Sequence, residues 1–293
     1  MNLPVYASLT ERIWHYLFIL ICGAVFCFLM APLLVIIPLS FNAEPYFTFT
    51  EGMLAFDPEA FSTRWYEALF DNNPNRENKW LSAIPKSFEI AGWSTLFATI
   101  LGTLAALGLS RPEMPFRGII MGLLISPMIV PLIITAAGIY FFYSSLNNYG
   151  LELTGSFWGI VLAHTVLGTP FVVITVTATL IGFDHSLIRA GLMCGATPTR
   201  VFFKVILPLI LPGVISGALF AFVTSFDEVV VVLFVGSVEH QTVPRQMWAG
   251  IREEISPIIL AVATLLICIS TLLMITLEVL RRYNERQRGV TPA

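Results

Sequence analysis

Charged residues are scarce in this chain of 293 residues, of which they make up 12%. Soluble domains carry roughly 25% charged residues. Hydrophobic residues make up 56% of the chain, and its mean hydropathy is +0.81. The composition therefore predicts a protein that lies largely within a membrane.

Cysteine and histidine are also few, with four residues of each. Cys22, Cys27 and Cys268 fall in apolar segments and Cys194 in a polar connector, so we expect no extracytoplasmic disulfide framework. The histidines lack metal-ligand spacing, and we expect no metal. No phosphate-binding GxxxxGK[ST] loop and no nucleophile–base constellation occur in the sequence. We therefore expect a non-enzyme that binds no cofactor itself.

Six stretches are apolar over at least the roughly 20 residues that a spanning helix needs. They lie at about 13–39, 83–109, 118–143, 156–180, 206–235 and 257–280. The first is too long for the core of a secretory signal, and no small-residue cleavage site follows it, so we expect it to be retained. The sequence predicts an all-α, polytopic membrane protein with a single transmembrane domain over 1–293.

The positions of lysine and arginine set the expected orientation. With the N-terminus inside, the cytoplasmic cations are Arg12, Arg111, Arg117, Arg189, Arg200, Lys204, Arg281, Arg282, Arg286 and Arg288. The outer cations are Arg64, Arg76, Lys79, Lys86, Arg245 and Arg252, and they are mixed with many acids. We expect both termini in the cytoplasm. The segment 41–82 is then an outer loop, in which "FSTRWYEALF" (61–70) is predicted as a short amphipathic helix that anchors at the interface or contacts an external partner.

The segment 184–204 is predicted as two short cytoplasmic helices joined by a turn. Gly195 suits the end of the first helix, and Thr197 with Pro198 restarts the chain as N-cap and first helical residue. Pro208 and Pro212 are expected to interrupt the second helix where it enters the membrane. Spacing alone leaves two interpretations open: a connector that lies on lipid headgroups, or a docking surface for a soluble partner.

Asp227 and Glu228 fall inside the fifth apolar stretch, in its outer half. A carboxylate within the bilayer costs about 2.5–3.5 kcal/mol on insertion scales, so two adjacent ones would rarely face lipid. A stripe at three- and four-residue steps leads to them through Gly213, Ser216, Gly217, Phe220 and Thr224. One hypothesis is that this stripe lines a translocation path whose acids attract a cationic solute. The other is that the acids hydrogen-bond between helices, protonated by desolvation.

Two aromatic residues are further candidates for the path. Tyr140 begins an aromatic run at the outer end of the third stretch, where it could stack on a cation or belong to an aromatic belt. Trp248 lies in the outer segment 236–256, which from its residues alone is an ordinary connector with an interfacial tryptophan.

The segment that ends at Pro208 resembles the EAA loop of binding-protein-dependent transport permeases, the membrane subunits of ABC importers. The match consists of Ala190, Gly195 and the "VILP" ending, whereas Arg189 stands where the family has Glu and Gly191 replaces the second Ala. The resemblance implies that 184–204 is a coupling helix seated in a groove of an ATPase subunit. The candidate coupling residues are Ile188, Arg189, Ala190, Gly191, Gly195, Thr197, Pro198 and Arg200.

Three further segments resemble the spermidine/putrescine subgroup of these permeases: 64–70, "SFDEVVVVLFVG" (225–236) and "TVPRQMWAGIREEISPIILAVATLLI" (242–267). The resemblance implies a type I ABC importer permease fold with six transmembrane helices in a bacterial inner membrane. Such a subunit forms half of the path for a small cationic solute such as a polyamine. The resemblance also implies that the outer segment 236–256, with Trp248, helps to close the path and to receive the solute-binding protein. The implied partners are a second permease subunit, two ATPase subunits that hold ATP and Mg, a periplasmic or extracellular solute-binding protein and membrane lipid, but no nucleic acid.

Two other functions stay open at this point. The chain could be the ABC permease of another small solute, such as an opine, an amino acid or GABA. It could also be a proton-coupled secondary transporter that uses Asp227 and Glu228 as a proton relay. In a secondary transporter, the cytoplasmic helix–turn–helix would have no obvious role.

Overall fold

A computed structural model of the chain describes residues 8–71, 78–111, 113–184, 186–253 and 256–287. Helices dominate these residues, which confirms the predicted all-α class. The helices are α1 (Leu9–Leu39), α2 (Glu51–Leu54), α3 (Arg64–Leu69), α4 (Lys79–Leu109), α5 (Arg117–Ile129), α6 (Leu132–Asn147), α7 (Phe157–Ile181), α8 (Ser186–Met193), α9 (Pro198–Val201), α10 (Leu207–Phe226), α11 (Val230–Val235), α12 (Val243–Glu253) and α13 (Ile258–Gln287). Arg76 and Arg288, which entered the orientation prediction, lie outside the described residues.

Four helices are long and apolar enough to cross a membrane: α1, α4, α7 and the continuous helix Pro198–Phe226. The pair α5 and α6 makes a fifth candidate. In α13 the described apolar part, Ile258–Leu272, is shorter than a full span. Length and composition thus support a multi-pass membrane protein, while the count of six spans stays a prediction.

The apolar stretch 118–143 is not one straight helix. Its two halves, α5 and α6, meet at an angle of 107°. Between them Val130 and Pro131 have extended backbone, with ψ of 135° and 128°. Proline disfavours helical conformation in the residue before it, which accounts for the break after Ile129.

The helix that begins at Pro198 continues through both Pro208 and Pro212, contrary to the interruption predicted there. A π-helical turn over Phe202–Ile206 precedes Pro208, and the N–H of Leu207 bonds to the carbonyl of Phe202, five residues back. A proline inside an α-helix lacks the N–H for the usual bond, and its ring clashes with the carbonyl four residues earlier. The wider turn accommodates both effects and keeps the helix intact.

The chain divides into two compact units, of which one comprises residues up to Asp71 and from Glu253 onward. In this unit α1 and α3 each pack against α13. The predicted amphipathic helix over 61–70 is α3. Its Trp65 indole N–H donates to the carbonyl of Asn42 at 2.8 Å, and the Tyr66 hydroxyl lies 2.6 Å from Ser40 Oγ. Hydrogen bonds of Trp65 and Tyr66 of α3 therefore hold the segment that follows α1.

The second unit, from Asn72 to Arg252, is built around α7, which packs against both α4 and α10. Small residues make these contacts close, as is usual between helices in lipid. The buried residues of α10 are Ile210 and the four small residues Gly213, Gly217, Ala221 and Ser225. A Cβ atom on Gly217 would lie 2.5 Å from Thr175 Oγ1 and 2.7 Å from Val172 Cα of α7. Glycine alone fits at this position without a shift of the backbone.

The substitution Gly217→Ala should therefore weaken the packing of α7 against α10. We expect it to lower the free energy of unfolding by about 1–3 kcal/mol, the usual effect of overpacking. Gly92→Ala in α4 is the matched control, because among the described residues no atom beyond the adjoining helix backbone lies within 4 Å of its Cβ position, and alanine favours the helix. Thermal unfolding of the detergent-solubilised protein measures both. Equal midpoints for the two variants would contradict this packing.

Candidate functional site

The stripe of α10 predicted to line a path divides between two faces of the helix. Gly213 and Gly217 are buried against α7 and cannot line a path. The remaining members of the stripe, apart from Glu228, keep exposed or half-buried side chains, and we call them the path face: Ser216, Phe220, Thr224 and Asp227. Phe220 stacks on Phe171 of α7, with the ring centroids 6.0 Å apart. The path face therefore combines two hydroxyls, an aromatic ring and a carboxylate.

The two adjacent acids lie in a break between helices. α10 ends at Phe226 and α11 begins at Val230. Glu228 is buried, and its Oε1 accepts a hydrogen bond of 2.9 Å from the backbone N–H of Val231. The first N–H groups of a helix have no partner within the helix, and a carboxylate is a favourable acceptor there. Glu228 thus caps α11, whereas the side chain of Asp227 is exposed.

A buried polar pair that the sequence did not indicate sits one turn before this break. His164 Nδ1 of α7 and Ser225 Oγ of α10 lie 2.8 Å apart, and both side chains are buried. The pair ties the last turn of α10 to α7. The one available signal is the four-residue spacing from Gly213 to Ser225, which places the serine on the small-residue face. Nothing in the sequence shows that His164 lies opposite.

The cytoplasmic helix–turn–helix has the limits that the sequence predicts. α8 ends at Met193, and Gly195 follows with φ +80°. The N–H of Ala196 bonds to the carbonyl of Gly191 at 3.2 Å, and the N–H of Gly195 to that of Leu192 at 2.9 Å. This bonding pattern is a Schellman motif, and its left-handed position favours glycine. We call the segment 184–204 the elbow.

The second half of the elbow starts as predicted. Thr197 Oγ1 accepts a hydrogen bond of 3.4 Å from the N–H of Arg200, and Pro198 is the first helical residue. A Cβ atom on Gly191 would lie 3.1 Å from Cγ2 of Val201, which is buried. This close contact gives a physical reason for glycine at position 191. The EAA loop of the resembling permeases has alanine at this position.

The outward side of the elbow mixes apolar and cationic groups. Met193 is 91% exposed and Leu192 43% exposed. Ile188 is half-buried, and Arg189, Ala190 and Arg200 are exposed, as are Thr197 and Pro198. The elbow therefore presents an accessible apolar surface edged by positive charge.

The two aromatic candidates stand apart from the path face. Tyr140 lies on α6, 40% exposed, with an edge-to-face contact to Phe141. Trp248 is 47% exposed on α12, a helix that falls where the sequence suggested a connector. Within the described parts of the chain, no hydrogen bond or ring contact joins either residue to α10. The structure thus does not bring all the predicted path residues together.

The sequence compares well with known transport proteins. Residues 98–288 match the model of the family described as the binding-protein-dependent transport system inner membrane component. The chain is 31% identical over 261 residues to the spermidine/putrescine transport system permease protein PotC of Haemophilus influenzae, an alignment that covers 89% of this chain and 95% of that protein. It is 34% identical over 269 residues to the putrescine transport system permease protein PotI of Escherichia coli, covering 91% of this chain and 88% of that one.

Two solved structures share the fold. A bacterial ABC transporter that imports the acidic polysaccharide alginate superposes with a TM-score of 0.69 at 16% identity, covering 96% of this chain and 99% of that one. The inward-facing MetNI methionine ABC transporter gives a TM-score of 0.53 at 20% identity, covering 72% of this chain and 96% of that one. The likeness confirms the predicted ABC importer permease fold.

The substitution Glu228→Ala should destabilise the helix break, because the N–H of Val231 would lose its acceptor in a buried setting. We expect the free energy of unfolding to fall by about 1–2 kcal/mol, and by less for Glu228→Gln, which keeps a side-chain oxygen. Asp227→Ala serves as the control, since an exposed residue changes stability by about 0.5 kcal/mol or less. Denaturant unfolding tests this. An equal loss at both positions would show that Glu228 is not a cap.

Proposed function

Because the chain belongs to the family of binding-protein-dependent transport system inner membrane components, we propose that it forms half of the path by which an ATP-driven importer carries a small cationic solute. The observation that carries this proposal is the path face, with its single exposed carboxylate at Asp227. Family membership agrees with the transport class predicted from the sequence and gives no support to a stand-alone proton-coupled carrier.

A polyamine is the substrate that this face favours. An exposed carboxylate attracts an ammonium group, and the face of an aromatic ring such as Phe220 binds a cation as well. The relatives named as spermidine/putrescine and putrescine permeases support the same class. An opine, an amino acid or GABA carries a carboxylate and therefore a lower net positive charge than a polyamine, so competition with these compounds distinguishes the alternatives.

ATP hydrolysis is assigned to separate ATPase subunits, which hold ATP and Mg. The elbow supports docking of such a subunit, because its apolar residues Leu192 and Met193 face outward beside Arg189 and Arg200. The proposed assembly contains a second permease subunit, two ATPases and an external solute-binding protein. Both termini and the elbow then lie in the cytoplasm of a bacterial cell.

A continuous helix links the elbow to the path face. It runs from Pro198 to Phe226 over 29 residues, which corresponds to a length of about 44 Å. The π-helical turn before Pro208 preserves this continuity. A rigid-body shift of the elbow would therefore move Ser216 and Phe220 directly, and could switch the access of the path.

Uptake of labelled putrescine into proteoliposomes that hold the complete transporter tests the proposal. We expect uptake to require ATP and the ATPase subunits. Asp227→Asn should lower kcat/KM for putrescine by about tenfold, the equivalent of about 1.4 kcal/mol. Glu152→Gln, which alters another exposed acid, is the matched control and should leave uptake unchanged.

Two results would overturn the proposal. Uptake that persists without the ATPase would indicate a secondary carrier. Full activity of Asp227→Asn with putrescine would show that the Asp227 carboxylate has no role in the path.

A further inference from the structure

The connection between α11 and α12 is held by cations from both sides, and we call residues 236–242 the latch loop. Lys86 of α4 donates a hydrogen bond from Nζ to the carbonyl of Glu239. Arg245 of α12 donates to the carbonyl of Ser237 at 2.5 Å. Side chains on two different helices therefore hold the backbone of the latch loop through its carbonyl groups.

The end of the latch loop is attached to α4 as well. The backbone N–H of Val243 donates to Ser87 Oγ at 2.8 Å, and both residues are buried. At the other end, the N–H of Gly155 bonds to the carbonyl of Val235 at 2.8 Å. Backbone hydrogen bonds therefore hold the latch loop at both of its ends.

His240 is the titratable group at the centre of this arrangement. Its Nδ1 lies 2.6 Å from Ser237 Oγ within the latch loop, and its carbonyl accepts a bond of 3.3 Å from Arg245. The side chain is half-buried. Among the described residues, the charged groups that act on its ring are Lys86 from α4, Arg245 from α12 and Glu239 from the latch loop itself. Two cations oppose one anion, so the surroundings disfavour a further positive charge.

The burial of the ring lowers the pKa of His240 below its ordinary value of 6.5. Lys86 and Arg245 lower this pKa further, against the opposing effect of Glu239. In a released loop the ring would regain its ordinary pKa, so protons bind the released state more tightly. The stability of the closed latch loop is therefore complete above pH 6.5 and falls as the pH drops toward the lowered pKa.

We propose that the latch loop is a proton-sensitive latch, in which protonation of His240 adds a third positive charge beside Lys86 and Arg245 and releases the loop from α4. This inference rests on the proposed function, since the orientation proposed there places the latch loop on the outer side of the membrane. External acid then weakens the contacts around the outer end of α4, and transport slows.

The pH profile of uptake by the reconstituted transporter tests the latch. As the external pH falls from about 7.5 to about 5.5, we expect wild-type uptake to drop about threefold, because the closed loop loses stability as the pH falls below the ordinary histidine pKa of 6.5. His240→Gln should remove most of this dependence. His15→Gln in α1 is the matched control and should keep the wild-type profile. A profile for His240→Gln that equals the wild type would overturn the proposal.

Two charge variants make the test specific to titration. Among the described residues, Glu239 is the acid that favours protonated His240, so Glu239→Gln should widen the difference in proton affinity between the closed and released loop. The fall in uptake should then become larger and begin at higher pH. Lys86→Gln removes an opposing cation and narrows this difference, so the fall between about pH 7.5 and about pH 5.5 should become smaller, while the loss of its bond to Glu239 lowers uptake at every pH. A merely structural role would alter the rate without these opposite changes in pH dependence. A pH dependence that does not change, or that changes in the same direction in both variants, would contradict the latch.

Hydrogen exchange of residues 236–242 in the purified chain gives a readout that needs no transport. After correction for the intrinsic effect of pH on exchange, protection should fall in acid for the wild type and stay constant for His240→Gln. If uptake is absent at every pH while protection still responds, the proposed function fails and the latch stands. If protection does not respond, the latch fails, whatever the uptake shows.

Discussion

The close contact between α7 and α10 is the constraint on which the candidate site depends. Gly217 leaves room for Thr175 and Val172, and Gly168 of α7 in turn faces Ala221, whose Cβ lies 3.0 Å from where a Cβ on the glycine would be. Without a water-driven hydrophobic effect between helices in lipid, such close backbone contact is a main source of stability. It fixes the rotation of α10 about its own axis.

Once the rotation of α10 is fixed, the positions of the polar groups follow. Ser225 meets His164 of α7, and Glu228 continues on the same side, where it is buried and caps α11. Ser216, Phe220 and Asp227 lie on an adjacent face, where Ser216 and Phe220 are about 100° round the helix from Gly217 and Ala221, and their side chains are accessible. Two neighbouring carboxylates thus differ in their surroundings, since Glu228 accepts a hydrogen bond at the start of a helix and Asp227 has an exposed side chain.

Local signals predicted some of this structure well. The all-α class follows from composition and long apolar runs, and the limits of the elbow follow from Gly195, Thr197 and Pro198, whose effects reach only a few residues. The family resemblance was inferred from short sequence motifs, and the comparisons with known proteins confirm it. The number of spans and the orientation of the termini are still predictions.

Other features depend on contacts that are distant in sequence or on the exact backbone path. Helical spacing placed Gly217 and Asp227 in one stripe, but only the packing against α7 separates them. Proline at 208 indicated an interruption, and the π-helical turn before it removes the need for one. The pairing of His164 with Ser225 spans 61 residues, so no local pattern reports it.

The most direct test of the central claim, that one face of α10 packs on α7 and the other lines a path, is thiol accessibility in the assembled, cysteine-free transporter. Ser216→Cys and Phe220→Cys should react with a water-soluble thiol reagent, and putrescine should slow the reaction. Ala221→Cys and Ser225→Cys, on the buried face, should stay unreactive. Reaction at the buried pair, or no reaction at Ser216→Cys and Phe220→Cys, would contradict the account.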